Sequence, residues 1–349
     1  MEERPDQYRK GRGAQINPPN PYHNLRYDEI PDPEKELRTE YIEVHPKSIL
    51  NKVTSPDIPG DYSMNPYQGC EHGCVYCYAR NTHPYWGYSA GLDFEQKVLI
   101  KKNAAELLEA EIRKKTWNAT PILLAGNTDI YQPAERQYRI TRAILEVLWR
   151  YKHPAGLITK NSLVLRDLDI LAPMAEQRLV HVSISLTTLN EDLRRMLEPR
   201  TSSVAQRLKA VESLSAAGVP VNVMLSPIIP GLTDHEILPM AKAAADHGAL
   251  SFGHSVVRLN GDVAAIFEDW IRKNMPDRAD RVLNRIRDCH GGNLNESRFG
   301  KRMRGEGEIA NVIHNQAKLA KKQYFAGKEW PAYNLELHEQ AKNPQLRLF

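Results

Sequence analysis

The residues best suited to chemistry are three cysteines on one short segment. Cys70, Cys74 and Cys77 follow a C-x3-C-x2-C spacing, and an aromatic residue directly precedes the third cysteine. Thiolates at this spacing can each bind one iron of a [4Fe–4S] cube, which leaves the fourth iron without a protein ligand. Gly69 and Gly73 allow the backbone to curl closely around the metal. The spacing therefore predicts a cluster with one open coordination position.

The open iron can accept a bidentate small molecule, as a catalytic zinc ion keeps one position for its substrate. The amino and carboxylate groups of S-adenosylmethionine suit that position. An electron passed to the adjacent sulfonium would break a C–S bond and release a 5′-deoxyadenosyl radical. The alternative is a structural zinc site completed by His72 or His83. Zinc sites usually need a distant second ligand pair, for which Cys289 and His290 are the remaining candidates, so the spacing favours the open cluster.

The elements that position this segment alternate between strands and helices. Apolar or β-branched runs predict strands at 97–100, 121–125, 156–159, 179–186, 219–225 and 250–259. Amphipathic stretches predict helices at 103–115, 135–151, 163–177, 203–217 and 234–247. This alternation predicts an α/β fold with a parallel sheet, as a partial or complete (β/α) barrel; a doubly wound open sheet is the second interpretation. In both, loops at the carboxyl ends of the strands carry the chemistry.

Composition indicates a soluble, cytoplasmic protein. The mean hydropathy is −0.54, and no apolar run approaches the roughly 18 residues that a membrane span requires. The N-terminus is polar and lacks the apolar core of a signal peptide. Three of the four cysteines are clustered, unlike a secreted disulfide framework. We therefore expect no membrane association.

The chain divides by pattern into four predicted parts: an extended N-terminal arm (1–45), an α/β core (46–260), a helical basic extension (261–340) and a tail (341–349). The extension is unusually basic, because residues 272–328 contain 14 Lys or Arg and 6 Asp or Glu, a local charge of +8. Such an excess indicates a polyanionic partner, of which nucleic acid is the commonest. A solvated helical face is the alternative.

Two sequence strings are similar to a known family. NPYQGCEHGCVYCYAR (65–80) and GNTDIYQPAE (126–135) resemble the radical S-adenosylmethionine superfamily, in the branch of spore photoproduct lyase and related bacterial proteins. The resemblance extends from about residue 60 to residue 260. It implies a radical enzyme with a barrel of this family's type. It also implies a [4Fe–4S] cluster and S-adenosylmethionine as cofactors, and an electron donor such as flavodoxin or ferredoxin.

The resemblance also implies cofactor-binding residues at successive strand ends. Tyr76 is expected to pack beside the cluster and the adenine. Thr128 and Asp129 follow the strand at 121–125, where the family contacts the methionyl amino group or the ribose. Lys160 ends the next strand, where relatives present a basic group to the cofactor carboxylate. An amino-acid zwitterion needs such acceptors and cations.

Ser183 and Ser185 share one face of the strand at 179–186, where a hydroxyl often meets the ribose in this family. The alternatives are structural, since Asp129 could cap a turn and the serines could bond to backbone. Glu198 and Arg200 lie beyond another strand end. They could line the pocket or pair with each other on the surface.

One feature departs from the family pattern. Spore photoproduct lyase uses a cysteine hydrogen donor on a loop between the cluster and the middle of the barrel, but this chain has no cysteine between residues 78 and 288. Cys289 is the remaining candidate for the donor, and an ordinary semi-buried thiol is the alternative.

The last residues read NPQLRLF and predict a partner. Gln345, Leu346, Leu348 and Phe349 resemble the Q-L-x-L-F peptide by which bacterial DNA polymerases and repair proteins bind the sliding clamp. Apolar anchors on an extended peptide can enter a groove while the glutamine amide fixes its register. A tail that folds back on its own protein is the alternative.

Three functions remain open at this point. The first is a radical enzyme that acts on DNA in a lesion-directed lyase or related repair reaction. The second is a radical enzyme that acts on RNA, a peptide or a small molecule. The third is a DNA-associated binding protein with a structural metal site. The cysteine spacing favours the first two, and the tail and the basic extension favour DNA.

Overall fold

The computed structural model describes residues 9–22, 38–58 and 60–342. Its strands are β1 (Glu40–Val44), β2 (Leu50–Lys52), β3 (Tyr62–Met64), β4 (Tyr67–Gln68), β5 (Lys97–Lys101), β6 (Ile122–Leu124), β7 (Ala155–Thr159), β8 (Val180–Ser185), β9 (Val221–Ile228) and β10 (Ser251–Val256). Its α-helices are α1 (Leu92–Gln96), α2 (Ala104–Ile112), α3 (Glu135–Tyr138), α4 (Ile140–Arg150), α5 (Leu168–Glu176), α6 (Glu191–Leu197), α7 (Val204–Ala216), α8 (Ile237–Asp246), α9 (Val263–Asn274), α10 (Pro276–Asp288), α11 (Gly307–Tyr324) and α12 (Glu336–Lys342).

The central element is a seven-stranded sheet in the order β10-β9-β8-β7-β6-β3-β2. Neighbouring strands from β3 through β10 are parallel, and β2 pairs antiparallel with β3. Helices connect the parallel strands, which confirms the predicted α/β fold. Within the described ranges β2 and β10 pair with one strand each, so the sheet does not close on itself there.

The two faces of the sheet differ in side-chain size and polarity. Along β9, Val221, Val223 and Leu225 are buried, whereas the residues between them, such as Asn222, are half-buried. The opposite face from the helices, here called the polar face, carries small or polar residues from several strands: Gly156, Ser183, Asn222, Ser226 and Gly253. This alternation gives each strand one apolar side for the core.

The parallel part of the sheet starts with β3, a strand that the sequence pattern did not predict. The three residues of β3 contain no apolar run, yet they pair in register with β6 and lead into the cysteine segment. The predicted strand at 97–100 exists as β5, but it belongs to a separate three-stranded sheet in the order β1-β5-β4. Its partner β1 lies inside the predicted arm. The proposed domain boundaries stay predictions.

The predicted helix at 135–151 is two helices. Arg139 between α3 and α4 adopts a left-handed conformation with φ of 51°. The Glu135 carboxylate accepts a hydrogen bond from the backbone N–H of Thr141 at 2.9 Å and so satisfies a donor at the start of α4. The predicted helices at 163–177 and 234–247 each begin with a 3-10 turn instead of an α-helical one.

A polar link joins the two edges of the sheet. The backbone N–H of Val256 in β10 donates to the carbonyl of Met303 at 3.0 Å. The same segment reaches the loop after β2, where Asp57 accepts hydrogen bonds from the Gly300 backbone (2.7 Å) and the Arg302 guanidinium (2.5 Å). Beyond β10, α11 packs on α8 and β10.

No helix within residues 9–22, 38–58 and 60–342 is long and apolar enough to cross a membrane.

Candidate functional site

The three clustered cysteines lie on one loop that follows β4. Cys70 and Cys74 are buried, Cys77 is partly exposed, and all three are free thiols. Gly69 and Gly73 have φ of 82° and 66°, a region that side chains rarely adopt. A Cβ on Gly69 would lie 2.8 Å from the carbonyl of Lys97. The sequence-based expectation that these glycines allow a tight loop is met in the backbone geometry.

The protein alone keeps these thiols neutral. Burial raises the pKa of Cys70, Cys74 and Cys77 above the usual range of a thiol. Bound iron supplies the positive charge that stabilises the thiolate form, so three free thiols at this spacing, two of them buried, fit a cluster. The loop is therefore suited in type, spacing and burial to hold the [4Fe–4S] cube.

His72 and His83, the two histidines considered as zinc ligands, contact other side chains. His72 is buried with Nδ1 3.3 Å from Asp129 Oδ2, and its Nε2 lies 3.4 Å from Asn161 Nδ2. His83 packs between the rings of Tyr88 and Phe94. Among the residues that the structure describes, no three His, Cys, Asp or Glu side chains converge as ligands of a single metal ion.

Asp129 joins the cysteine loop to the ends of β6 and β7. Its carboxylate accepts hydrogen bonds from the Thr159 hydroxyl (2.7 Å) and from the backbone N–H of Lys160 (2.7 Å) and Tyr131 (2.8 Å). Burial opposes ionisation, but His72 and these donors outweigh it and lower the pKa of Asp129. The observed contacts therefore give this carboxylate a positioning role, and its predicted contact with the cofactor stays a prediction.

Glu198 is the centre of a second buried network beside the loop. Its side chain is fully buried and contacts the Tyr76 hydroxyl, the Thr187 hydroxyl (2.7 Å) and the Arg207 guanidinium (2.5 Å). Lys160 Nζ lies 3.7 Å away. Burial alone would raise the pKa of Glu198, but Arg207 and then Lys160 lower it to about 2. Glu198 is thus an ionised residue at the site and not part of a surface pair.

The structure brings three of the six predicted cofactor residues together: Tyr76, Asp129 and Lys160. Lys160 Nζ lies 5.9 Å from the centre of the Tyr76 ring, and both side chains converge on Glu198. The backbone of Lys160 is bonded to Asp129. The cysteine loop and the ends of β6 and β7 therefore form one continuous site.

Residues 64–244 match the Radical SAM superfamily, which is more than half of the chain. The chain belongs to the radical SAM superfamily. It is a radical SAM enzyme, and its cofactors are a [4Fe–4S] cluster and S-adenosylmethionine. Members need an external reductant.

This radical SAM enzyme is similar to uncharacterised proteins and to a solved structure of the same fold. An uncharacterised protein of Mycobacterium tuberculosis is 36% identical over 68% of this chain and 71% of its own length. An uncharacterised protein of Methanocaldococcus jannaschii is 27% identical over 71% of this chain and 88% of its own length. Among solved structures, spore photoproduct lyase complexed with dinucleoside spore photoproduct superposes with a TM-score of 0.64, at 16% identity and over 86% of each chain. This last similarity concerns the fold.

The remaining predicted cofactor residues have more local contacts. The Thr128 hydroxyl is buried and donates to the carbonyl of Tyr67 at 2.7 Å. Ser183 accepts a hydrogen bond from Asn222 at 3.2 Å on the polar face, and no contact joins it to the cysteine loop among the described residues. Ser185 is buried, and its carbonyl accepts from Arg207 at 3.0 Å. Their cofactor contacts stay predictions.

Cys289 lies at the end of α10 and is fully buried. Its carbonyl accepts from the backbone N–H of Glu306 at 2.8 Å, and its Cβ lies against Gly305. Burial raises the pKa of Cys289 to about 11. These surroundings favour the buried thiol over the hydrogen donor of the radical SAM reaction, a role that stays untested.

Sequence reasoning missed a third buried ion pair at the loop. Arg80 and Glu95 are both fully buried, and Arg80 Nη2 lies 2.5 Å from Glu95 Oε1. Arg80 Nε donates to the carbonyl of Cys74 at 3.0 Å. The position of Arg80 three residues after Cys77 was a local signal, whereas nothing near Glu95 in the sequence indicates its contacts.

A half-open cavity adjoins the loop, here called the amide-lined cavity. It has a volume of about 410 Å³ and is lined by Asn51, Ser63, Asn65, Gln68, Trp86, Lys101, Gly126 and Asn127. None of the described residues that line it is a carboxylate. Trp86 is 41% exposed, and Lys101 Nζ donates to the carbonyl of Asn65 at 2.9 Å.

The predicted clamp peptide (Gln345, Leu346, Leu348 and Phe349) lies outside the described residues.

Proposed function

We propose that this radical SAM enzyme acts on DNA and repairs a lesion in a reaction like that of spore photoproduct lyase. When bound, its cofactors supply a carbon-centred radical, which is suited to unactivated C–H and C–C bonds. The observation that carries the proposal is the set of exposed cations on the C-terminal helices. The cysteine loop, Lys160 and the Glu198 network hold the site in which that chemistry starts.

The cations of α10 and α11 are available for a partner. Arg278, Arg281 and Arg287 on α10 and Lys318 and Lys322 on α11 have no carboxylate partner among the described residues. Four of them are exposed and Arg287 is half-buried. Unpaired Lys and Arg side chains on neighbouring helices attract phosphate and drive counterion release. They support nucleic acid over a small neutral substrate.

The amide-lined cavity supports a substrate that contains bases. Carboxamide side chains both donate and accept hydrogen bonds, as base edges do, and an exposed indole offers a surface for stacking. The absence of a lining carboxylate avoids repulsion of a phosphate backbone. The fold is shared with an enzyme solved in complex with dinucleoside spore photoproduct, which supports a DNA lesion as the substrate.

Three further expectations belong to this proposal. The C-terminal peptide would bring the enzyme to the sliding clamp, a flavodoxin or ferredoxin would deliver the electron, and the reaction would take place in the cytoplasm. Binding to the sliding clamp can be tested on its own, by comparing the full chain with a Phe349→Ala variant. Loss of clamp binding in that variant is the expected result.

The test is formation of 5′-deoxyadenosine by the reconstituted, reduced enzyme without oxygen. S-adenosylmethionine is supplied alone, with ultraviolet-irradiated DNA, with unirradiated DNA and with irradiated RNA. We expect the largest increase with irradiated DNA. Product that does not respond to DNA would reject the DNA substrate and favour an RNA, peptide or small-molecule substrate. A matched increase with irradiated RNA would move the proposal to RNA.

A further inference from the structure

The N-terminal residues 9–22 pack directly on the back of the cysteine loop. We call this segment the strap. Arg12, Gly13 and Ala14 are buried, although Lys10 and Gly11 just before them are exposed. A short segment near a chain end is expected to be poorly ordered unless specific contacts hold it. Arg12, Gly13 and Ala14 contact Glu95 and the cysteine loop, whereas Asn17 and Asn20 contact residues 84–93.

Glu95 connects the strap to the cysteine loop. Its fully buried carboxylate accepts hydrogen bonds from the backbone N–H groups of Gly13 (3.0 Å) and Ala14 (2.7 Å). The same carboxylate pairs with Arg80, which donates to the carbonyl of Cys74 at 3.0 Å. A continuous chain of polar contacts therefore runs from the strap to the second cysteine.

The strap also touches the loop backbone itself. A Cβ placed on Gly13 would lie 1.7 Å from the carbonyl oxygen of Gly73, the residue before Cys74. Gly13 does not have the left-handed backbone that would by itself require glycine. Its lack of a side chain is therefore required by close approach to the loop and not by its own conformation.

We propose that residues 12–14 are positioning residues of the cluster-binding loop. In the docked state they complete the hydrogen bonding of Glu95, fix the backbone between Cys70 and Cys74, and cover that side of the loop from solvent. An undocked strap would leave Glu95 without two of its donors and would expose the loop, so the cluster would be lost more easily. This inference concerns cluster retention and does not depend on the DNA substrate.

Reciprocity makes the proposal testable in both directions. If the docked strap stabilises the bound cluster, the bound cluster must stabilise the docked strap by the same coupling free energy. Hydrogen exchange at the amides of Gly13 and Ala14 reports docking, because both donate to a buried carboxylate. Loss of visible cluster absorbance in the presence of an iron chelator reports retention.

The experiment compares Gly13→Ala with Lys10→Ala in the full chain. Lys10 lies on the same segment but is exposed. We expect Gly13→Ala to speed exchange at the backbone amides of positions 13 and 14 and to speed cluster loss to the chelator about tenfold. We expect Lys10→Ala to match the wild type in both measurements. Circular dichroism of the cluster-free proteins checks that both variants fold.

Two results would overturn the proposal. One is a Gly13→Ala protein whose strap exchanges fast while its cluster is lost at the wild-type rate. The other is a Gly13→Ala protein whose strap stays protected. If that variant does not fold, the wild-type protein decides alone: exchange at Gly13 and Ala14 must slow when the cluster is loaded, and equal exchange in both forms rejects the coupling.

Discussion

The cysteine loop and the C-terminal helices use charge in opposite ways. Around the loop lie four acidic residues, Glu71, Glu95, Asp129 and Glu198, whose side chains are at most 10% exposed and each of which contacts a basic group. On α10 and α11 most of the cations are exposed, and several have no carboxylate partner among the described residues.

This difference separates two tasks. A buried ion pair contributes little net stability over an apolar pair, but breaking one leaves an uncompensated charge and so penalises any other arrangement. The pairs around the loop are therefore suited to holding one geometry. Exposed, unpaired cations stabilise nothing internally, and their interactions are available to a polyanion.

The largest expected effect comes from the loop ligands themselves. Cys74→Ala removes one of three thiolates, and we expect the reconstituted protein to bind no stable cluster and to form no 5′-deoxyadenosine. Iron analysis and product assay measure both. Cys289→Ala is the matched control, because that thiol is equally buried but lies at the end of α10. A Cys74→Ala protein with wild-type iron content would contradict the ligand assignment.

The second effect tests whether the buried network is required. Glu198→Ala leaves Arg207 buried without its carboxylate, and we expect the free energy of unfolding of the cluster-free protein to fall by about 3–5 kcal/mol. Urea titration measures it. Glu212→Ala removes an exposed carboxylate paired with Lys209 and should leave the free energy of unfolding nearly unchanged. If both substitutions lower the free energy of unfolding equally, the proposed difference between buried and exposed charges is rejected.

The third prediction tests the arginines of α10 that have no carboxylate partner among the described residues. Replacement of Arg278, Arg281 and Arg287 with Gln should weaken binding to DNA about tenfold. The number of counterions released on binding, which the salt dependence reports, should fall by about three. Fluorescence anisotropy at several salt concentrations measures both. The control replaces Lys114, Lys209 and Lys242, which pair with neighbouring carboxylates. A salt dependence that changes equally in both variants would show that α10 is not the DNA surface.

The smallest effect probes the amide-lined cavity. Asn51 lines the cavity, and its side chain makes no hydrogen bond to the residues that the structure describes. Loss of one neutral hydrogen bond corresponds to about 0.5–1.5 kcal/mol, so Asn51→Ala should raise the KM for damaged DNA about threefold and leave kcat unchanged. Lys52→Ala, the next residue along β2 and on the opposite face, is the control. A lower kcat at constant KM would assign Asn51 to the chemical step.

Local sequence signals predicted the parts of the site that are themselves local. The cysteine spacing and the position of Asp129 after a strand needed only a few neighbouring residues. The partners of Asp129 could not be predicted, because the Thr159 hydroxyl is 30 residues away and reaches it only once β6 and β7 pair. Glu198 was recognised as a residue near a strand end, but its burial depends on Arg207 in another helix.

The same limit explains what was missed in the fold. The three residues of β3 carry no apolar run, and their strand is stabilised by pairing with β6 instead of by local preference. The strap contacts Glu95 across 81 and 82 residues of sequence. A Pro- and Asn-rich segment predicts extended backbone, but neither composition nor periodicity indicates what an extended segment docks on.

The unpaired edges of the central sheet bear on how easily the sheet can open. A barrel with a continuous ring of hydrogen bonds opens only when backbone hydrogen bonds between two strands break. Here β2 and β10 are joined through Asp57 and residues 300–302, by side chains and loops and not by a ladder of strand pairs. The seam between β2 and β10 can therefore open without the loss of a strand pair, and for the proposed DNA substrate such an opening would widen the approach to the site.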